Sequence, residues 1–330
     1  MDSLHPKKLL IVNILDILKR YTDTEHKLHQ QEIIAILERD YNMTCERKAV
    51  ARNLSILSEW DCYDIEYDKG WYMNHEFDDT ELRLIIDSII FSKHIPLNMC
   101  TRLIEKIKGL SNKYFSARVA NITPLYENRI ENKQISFILE ILDEAIRDKK
   151  QVEFTYNEFG ADKKLHPRKT ADGKERRYTI NPIRIAATNG RYYLICNNDK
   201  YDSIANYRID KITAIKLLGT PAKDHKKIKG MEQGLNLPKH LAEHIYMFSG
   251  ESIPVTFRVH NSAIGDVIDW FGADTLFKDE GEYSAVTVMV NRRAMLYWAM
   301  QYAEKVEVLS PQSLRDEIKD SLQNALKKYE

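Results

Sequence analysis

The sequence predicts a multidomain α+β fold: a winged helix-turn-helix, a helical connector, a small β-barrel and a C-terminal ferredoxin-like α/β module. Three observations carry this. The 330 residues exceed the roughly 100–200 of one domain. The hydrophobic period changes along the chain, from helical spacing at the start to short Gly- and Asn-punctuated strands in the middle. Charge is also segregated, although 49 Lys and Arg balance 49 Asp and Glu. Residues 147–230 hold 20 basic and 10 acidic side chains, while residues 1–75 hold 10 and 13. Residues 76–146 hold 9 and 11, and residues 231–330 hold 10 and 15.

Apolar residues at Leu10, Ile14, Ile17, Leu18 and Tyr21 form a first helical stripe, with Pro6 near its start. Leu28, Ile33, Ile36 and Leu37 form a second, opened by His29 and Glu32 in capping-box positions. After Asn42-Met43, Thr44 caps a third helix running to about Ser58. Its apolar side is Val50, Leu54 and Leu57, and its other side carries Arg47, Lys48, Ala51, Arg52 and Ser55. Cations among small residues suit a helix lying in a DNA major groove, where the backbone comes close and Arg reaches base edges. Tyr63, Ile65 and Tyr67 alternate with polar residues, Asp68-Lys69-Gly70 turns, and Trp71-Tyr72-Met73 returns. The expected DNA-binding residues are Arg47, Lys48, Arg52, Ser55 and, at the hairpin tip, Lys69. Asp64, Glu66 and Asp68 weigh against contact between this hairpin and phosphate.

A connector follows, with Asp79 or Thr80 capping a helix through Leu82, Ile85, Ile86, Ile89 and Ile90 that Pro96 ends. Helical pattern continues through Leu103, Ile107 and Leu110, and a further helix spans Gln134 to Lys149. Strand-like runs are Gln151–Tyr156, Tyr178–Ile185, Arg191–Cys196 and Ile204–Ile209. Asn157-Glu158-Phe159-Gly160, Ala171-Asp172-Gly173, Thr188-Asn189-Gly190 and Asn197-Asn198-Asp199 separate them, and short strands between such turns predict a small barrel. Alternation puts Tyr192 and Leu194 on one face and Arg191 and Tyr193 on the other, so Arg191, Tyr193 and Arg208 could gather on one polar face. Arg forks beside an aromatic plate suit phosphates and stacked bases. The competing reading puts Tyr192, Leu194 and Tyr207 in the core and pairs Arg208 with an acid such as Asp210.

Gly190-Arg191-Tyr192-Tyr193-Leu194 resembles the signature of the WYL domain, with Tyr192 in place of the usual Trp. Tyr207-Arg208-Ile209-Asp210-Lys211-Ile212 resembles the Phe/Tyr-Arg-Leu-Asp-Arg-Ile run of that family, with Lys211 keeping the charge but losing the fork, and Asn181-Pro182 also fits. The whole layout is similar to that of bacterial WYL transcriptional regulators. The resemblance implies a Sm-like barrel that binds a nucleic acid or another anionic effector, no catalysis, and a C-terminal WCX-like extension. The expected effector-binding residues, read from the residues themselves, are Tyr156, His166, Arg168, Arg191, Tyr193 and Arg208, with Arg176, Arg177 and Arg184 as further candidates close by in sequence.

In the C-terminal segment Val255–Val259, Tyr283–Val290 and Val306–Leu309 read as strands. Ser262 to Phe271 and Arg293 to Tyr302 read as helices. Ser310, followed by Pro311, caps a last helix striped by Leu314, Ile318, Leu322 and Leu326. The β-α-β order suggests a ferredoxin-like arrangement. His240-Leu241-Ala242-Glu243-His244 matches the short H-x-x-E-H zinc-peptidase pattern, a remote alternative of a zinc hydrolase without a recognisable third ligand.

Cys45, Cys62, Cys100 and Cys196 contain no Cys-x-x-Cys spacing, so neither a metal site nor a disulfide framework is expected. No run approaches the ~18 apolar residues of a membrane span, and Met1 to Lys8 lacks a signal-peptide core, so a cytoplasmic protein is expected. The expected domains are 1–75 (DNA binding), 76–133 (connector), 134–222 (effector sensing) and 223–330 (extension). The expected function is a ligand-responsive, DNA-binding transcriptional regulator without cofactor. Its partners are an operator duplex, a second copy of the chain and an anionic effector such as single-stranded nucleic acid or a nucleotide, with no membrane contact. The alternative is a non-transcriptional nucleic-acid-binding module that uses the basic barrel.

Overall fold

A computed structural model describes residues 9–93, 95–119, 132 and 134–330. Met1 to Lys8, Pro6 among them, lie outside the described residues, as does most of the connector beyond residue 119. The chain divides into two compact units, residues 1–129 and 130–330.

The first unit opens with α1 (Leu10–Tyr21), α2 (Gln30–Tyr41) and α3 (Arg47–Ser58). Their apolar stripes meet in one core in which Ile14, Ile17, Leu18, Ile33, Leu37, Val50 and Leu54 are fully buried. Glu32 accepts from the His29 N–H at 2.7 Å. Thr44 does not cap α3; that position belongs to Glu46, whose side chain makes no capping bond. A hairpin of β1 (Ile65–Tyr67) and β2 (Trp71–Met73) follows, with Ile65 paired to Met73. Lys69 takes the left-handed conformation at its tip, with φ of 57°. Gly70 is required for space instead, since a Cβ there would lie 2.8 Å from Lys27 Cβ. Buried Thr22 ties the hairpin to α1: its hydroxyl donates to the Leu18 carbonyl at 2.6 Å and accepts from the Met73 N–H at 3.1 Å.

The helices α4 (Asp79–Phe91), α5 (Leu97–Lys108) and α6 (Lys113–Arg118) complete the unit around Leu82, Ile86, Ile104 and Phe115. The cap of α4 is Asp78, not Asp79 or Thr80; it accepts from the Glu81 N–H while Glu81 accepts from its own. Pro96 does not end α4, which stops at Phe91; it caps α5.

The second unit begins with α7 (Ile135–Arg147), which lays Ile138, Leu142 and Ala145 on a sheet of β3 (Lys150–Phe159), β4 (Leu165–Pro167), β5 (Arg177–Thr188), β6 (Arg191–Asn197), β7 (Ile204–Arg208) and β8 (Ile212–Pro221). All neighbours are antiparallel, in the order β4-β3-β5-β6-β7, with β8 on β3. Asn189 and Gly190, with φ of 52° and 69°, make the tight turn from β5 to β6. The expected closed barrel is not formed: β7 and β8 are joined by a short turn but share no ladder. Side chains hold the backbone around that turn. Tyr156 Oη accepts from the Arg208 N–H, Asn132 donates to the Asp210 and Ile212 carbonyls, and Asn157 donates to the Lys211 carbonyl.

After α8 (Leu237–Glu243) come β9 (Ser252–His260), α9 (Ile264–Phe271), β10 (Phe277–Asp279), β11 (Tyr283–Asn291), α10 (Arg292–Gln301), β12 (Val306–Ser310) and α11 (Gln312–Leu326). The antiparallel order is β10-β11-β9-β12, one strand more than expected, over a core centred on Phe257 and Trp298. Pro311, not Ser310, precedes α11 as its cap. The α11 stripe leaves the core along its length: Leu314 is buried, while Leu326 is 60% exposed. No described helix is long and apolar enough to cross a membrane.

Candidate functional site

Two surfaces hold the candidate residues, one in each unit. On α3, burying Val50, Leu54 and Leu57 leaves Arg47, Lys48, Ala51, Arg52 and Ser55 exposed. Arg47 Nε donates to Gln30 Oε1 at 3.3 Å, and Gln30 donates in turn to the Arg47 carbonyl. The side chains of Lys48, Arg52 and Ser55 have no partner among the described residues. Lys69 stands exposed at the hairpin tip and takes part in no ion pair among the described residues. The acids around it are engaged: Asp68 with Lys27 at 2.5 Å, Glu66 with the Tyr72 hydroxyl at 2.5 Å, and Asp64 with Asn74 at 3.0 Å.

In the second unit the ladder sets Tyr193 opposite Arg208, and Asp210 follows in the turn after β7. Arg191 and Arg208 converge on that buried carboxylate. Arg208 Nε and Nη2 donate to Oδ1 and Oδ2 at 3.1 and 2.6 Å, and Arg191 Nη1 donates to Oδ2 at 3.0 Å. Burial works to lower the Arg208 pKa, but the bonds to Asp210 outweigh it and leave the pKa above its ordinary value. Tyr193, across the ladder from Arg208, is buried beside Ala186, Ile195 and Met247 and not on a polar face.

Tyr156 lies under this pair. Its hydroxyl accepts from the Arg208 N–H at 3.2 Å, and burial pushes its pKa up to about 12. Its ring meets Tyr207 edge-on at 4.9 Å, in a cluster with Phe154 and Tyr178. Two further guanidiniums cover the cluster: Arg168 lies 5.1 Å from the Tyr156 ring and Arg176 4.8 Å from the Tyr178 ring. Arg168 is also bidentate on Glu158 Oε1, at 2.6 and 2.9 Å. His166, on β4, turns instead to Asp162 at 2.9 Å. Arg177 and Arg184 are exposed and make no side-chain bond among the described residues.

The site therefore sets Arg168, Arg191, Arg208 and Lys211 against Glu158 and Asp210. Sequence reasoning did not include Lys211, whose pKa is lowered by burial and then by nearby Arg208. It also did not include Glu158, because the strand that brings Arg168 to it, β4, is only three residues long. The core placement of Leu194 is complete, and Tyr192 and Tyr207 are partly buried against the same cluster.

The H-x-x-E-H segment lies on α8 and its C-terminal cap. His240 and His244 are buried and stacked, with ring centroids 4.2 Å apart. His244 sets Nδ1 3.0 Å from the His240 carbonyl and Nε2 3.3 Å from the Gly250 carbonyl, so both ring nitrogens face backbone oxygens. His240 Nε2 meets Asn206 Oδ1 at 3.1 Å, and burial, helped by His244, lowers its pKa to about 4. Among the described residues no three His, Cys, Asp or Glu side chains converge as metal ligands.

The WYL domain family matches residues 138–217 and the WCX domain family residues 251–326. No curated protein sequence matches the chain. Among solved structures, proteasome accessory factor B/C (PafBC) of Arthrobacter aurescens aligns at 16% identity and a TM-score of 0.30, over 100% of this chain and 51% of that one. The chain thus spans about half the length of PafBC. A CRISPR Cas-related protein aligns at 13% identity and a TM-score of 0.41, over 100% of this chain and 87% of that one. The Arg191–Asp210–Arg208 cluster lies inside the first matched segment, and the chain carries a WYL domain followed by a WCX domain.

Proposed function

We propose that this protein is a ligand-responsive transcriptional regulator. Residues 1–75 act as a winged helix-turn-helix that binds duplex DNA through Arg47, Lys48, Arg52 and Ser55, with Lys69 on a flanking phosphate. Residues 134–222 sense an anionic effector, a nucleotide or single-stranded nucleic acid, through Tyr156, Arg168, Arg191 and Arg208. Residues 76–133 connect them, and residues 223–330 form the WCX extension. The observation that carries this reading is the exposed face of α3, where Lys48, Arg52 and small side chains stand without a side-chain partner among the described residues on a helix whose other face is fully buried. Such a helix supplies both the close approach and the guanidinium donors that major-groove reading needs. We read the WYL sheet as a Sm-like barrel left open at one seam, and the C-terminal order β10-β11-β9-β12 as ferredoxin-like. The reading assigns no catalytic step. It places the protein in the cytoplasm as a homodimer whose DNA affinity shifts when the effector binds.

The acidic hairpin favours a second reading, in which the first unit binds protein and the basic WYL surface is the nucleic-acid site. Selection by the purified full chain from a mixed random pool of duplexes and single strands separates the two. The first reading expects enriched duplexes with two half-sites about one helical turn apart or a multiple of it. Recovery of single strands alone would favour the second.

A further inference from the structure

Asp210 subtracts a charge from a site that reads as anion-binding, and yet it is the best-held group there. Its side chain is 7% exposed, and both oxygens are taken by guanidinium donors. The turn that carries it is clamped on three sides: Asn132 donates to the Asp210 and Ile212 carbonyls at 3.2 and 2.7 Å, Asn157 donates to the Lys211 carbonyl at 2.8 Å, and Tyr156 accepts from the Arg208 N–H. A carboxylate so fixed cannot swing aside when an anion arrives. The two arginines are not used up by it. Nη1 of Arg208 and Nε and Nη2 of Arg191 have no protein partner among the described residues, and the two side chains remain 26% and 29% exposed.

From this geometry we infer that Asp210 is a positioning residue of the effector site: it holds Arg191 and Arg208 side by side so that their remaining donors meet one anionic group together. Two guanidiniums at this separation repel each other, and long side chains lose rotamer freedom when they bind. The buried carboxylate offsets the repulsion and orders both side chains in advance, so the ligand does not bear that ordering cost. The assignment rests on the effector reading above.

The opposite role, an internal competitor for the ligand's place, predicts the opposite sign, so one substitution separates the two. Asp210→Asn keeps the shape and adds a net positive charge. Binding of a short fluorescent oligothymidylate, followed by anisotropy across a salt titration, should weaken about tenfold despite that added charge, the loss of one charge-assisted contact. Tighter or unchanged binding by Asp210→Asn overturns the assignment. A wild-type chain that binds no oligothymidylate overturns the effector reading itself, and this assignment with it. The Nε–H resonance of Arg208 in the unliganded wild-type chain gives a check independent of how the variant folds. It should be slow to exchange and distinct, and an averaged, fast-exchanging signal would overturn the pre-ordering.

Discussion

The face of α3 and the arginine cluster of the WYL domain differ in a way their net charges conceal. The first lies in a segment with more acids than bases, yet Lys48 and Arg52 stand free of any partner among the described residues. The second lies in the most basic block of the chain, yet Arg168, Arg191 and Arg208 are each tied to a carboxylate. Segment charge sets the long-range field, but pairing decides what a cation can still do at contact. A free exposed cation contributes to binding and little to stability. A tied and partly buried one contributes to stability, and it binds only through the donors left over.

Substitutions that untie a cation should therefore register in unfolding, and those at free cations only in binding. The largest effect is expected for Asp210→Ala, which leaves two partly buried guanidiniums without their shared carboxylate. Urea unfolding should show a loss of about 3 kcal/mol, and a loss below about 1 kcal/mol would break the comparison. His240 comes next. It stays neutral in the fold down to a pKa of about 4, while the unfolded chain takes up its proton near the ordinary histidine value. The unfolded state binds more protons in that window, so stability should fall as pH drops from about 6.5 toward 4, by up to about 3 kcal/mol. His240→Gln should flatten that part of the profile. Tyr156→Phe removes the acceptor of the Arg208 N–H and should cost about 1 kcal/mol. Because the folded Tyr156 holds its proton up to about 12, its contribution is complete below about pH 10 and is lost as pH rises from 10 to 12. The variant should show a shallower alkaline slope. The smallest stability effect belongs to Lys48→Ala, within about 0.5 kcal/mol. The same variant should weaken duplex binding and reduce the salt slope by about one. A stability change as large as that of Asp210→Ala would erase the distinction between free and tied cations.

What the sequence makes legible follows the same division. Stripes with a clear period declare α1, α2 and the buried side of α3, and Asn189-Gly190 declares the β5–β6 turn, because these signals are local. β8 is harder to read: Ala214 with φ of 50° and register shifts against β3 break its alternation. β4 and β10 are only three residues long. Glu46 and Pro311 make no side-chain capping bond, so their positions leave no cap signature. At the site, Tyr156, Arg168, Arg191 and Arg208 stand out by residue type, and Asp210 is legible as a local partner of Arg208. The second half of that triad, Arg191 on Asp210, and the pairing of Arg168 with Glu158 depend on strand register and on a hairpin seen only in three dimensions. The open seam has the same origin, since the asparagines at positions 132 and 157 reach it from distant elements.

The central claim is that the free cations of α3 hold duplex DNA while the tied cations of the WYL domain serve another anion. Its most direct test is a side-by-side anisotropy titration of one selected duplex, without effector, against the wild-type chain, Arg47→Glu with Arg52→Glu, and Arg168→Ala with Arg191→Ala. The α3 pair should lose about 100-fold or more in affinity, and the WYL pair should stay close to wild type. Duplex binding that survives in the α3 pair and disappears in the WYL pair would contradict the account.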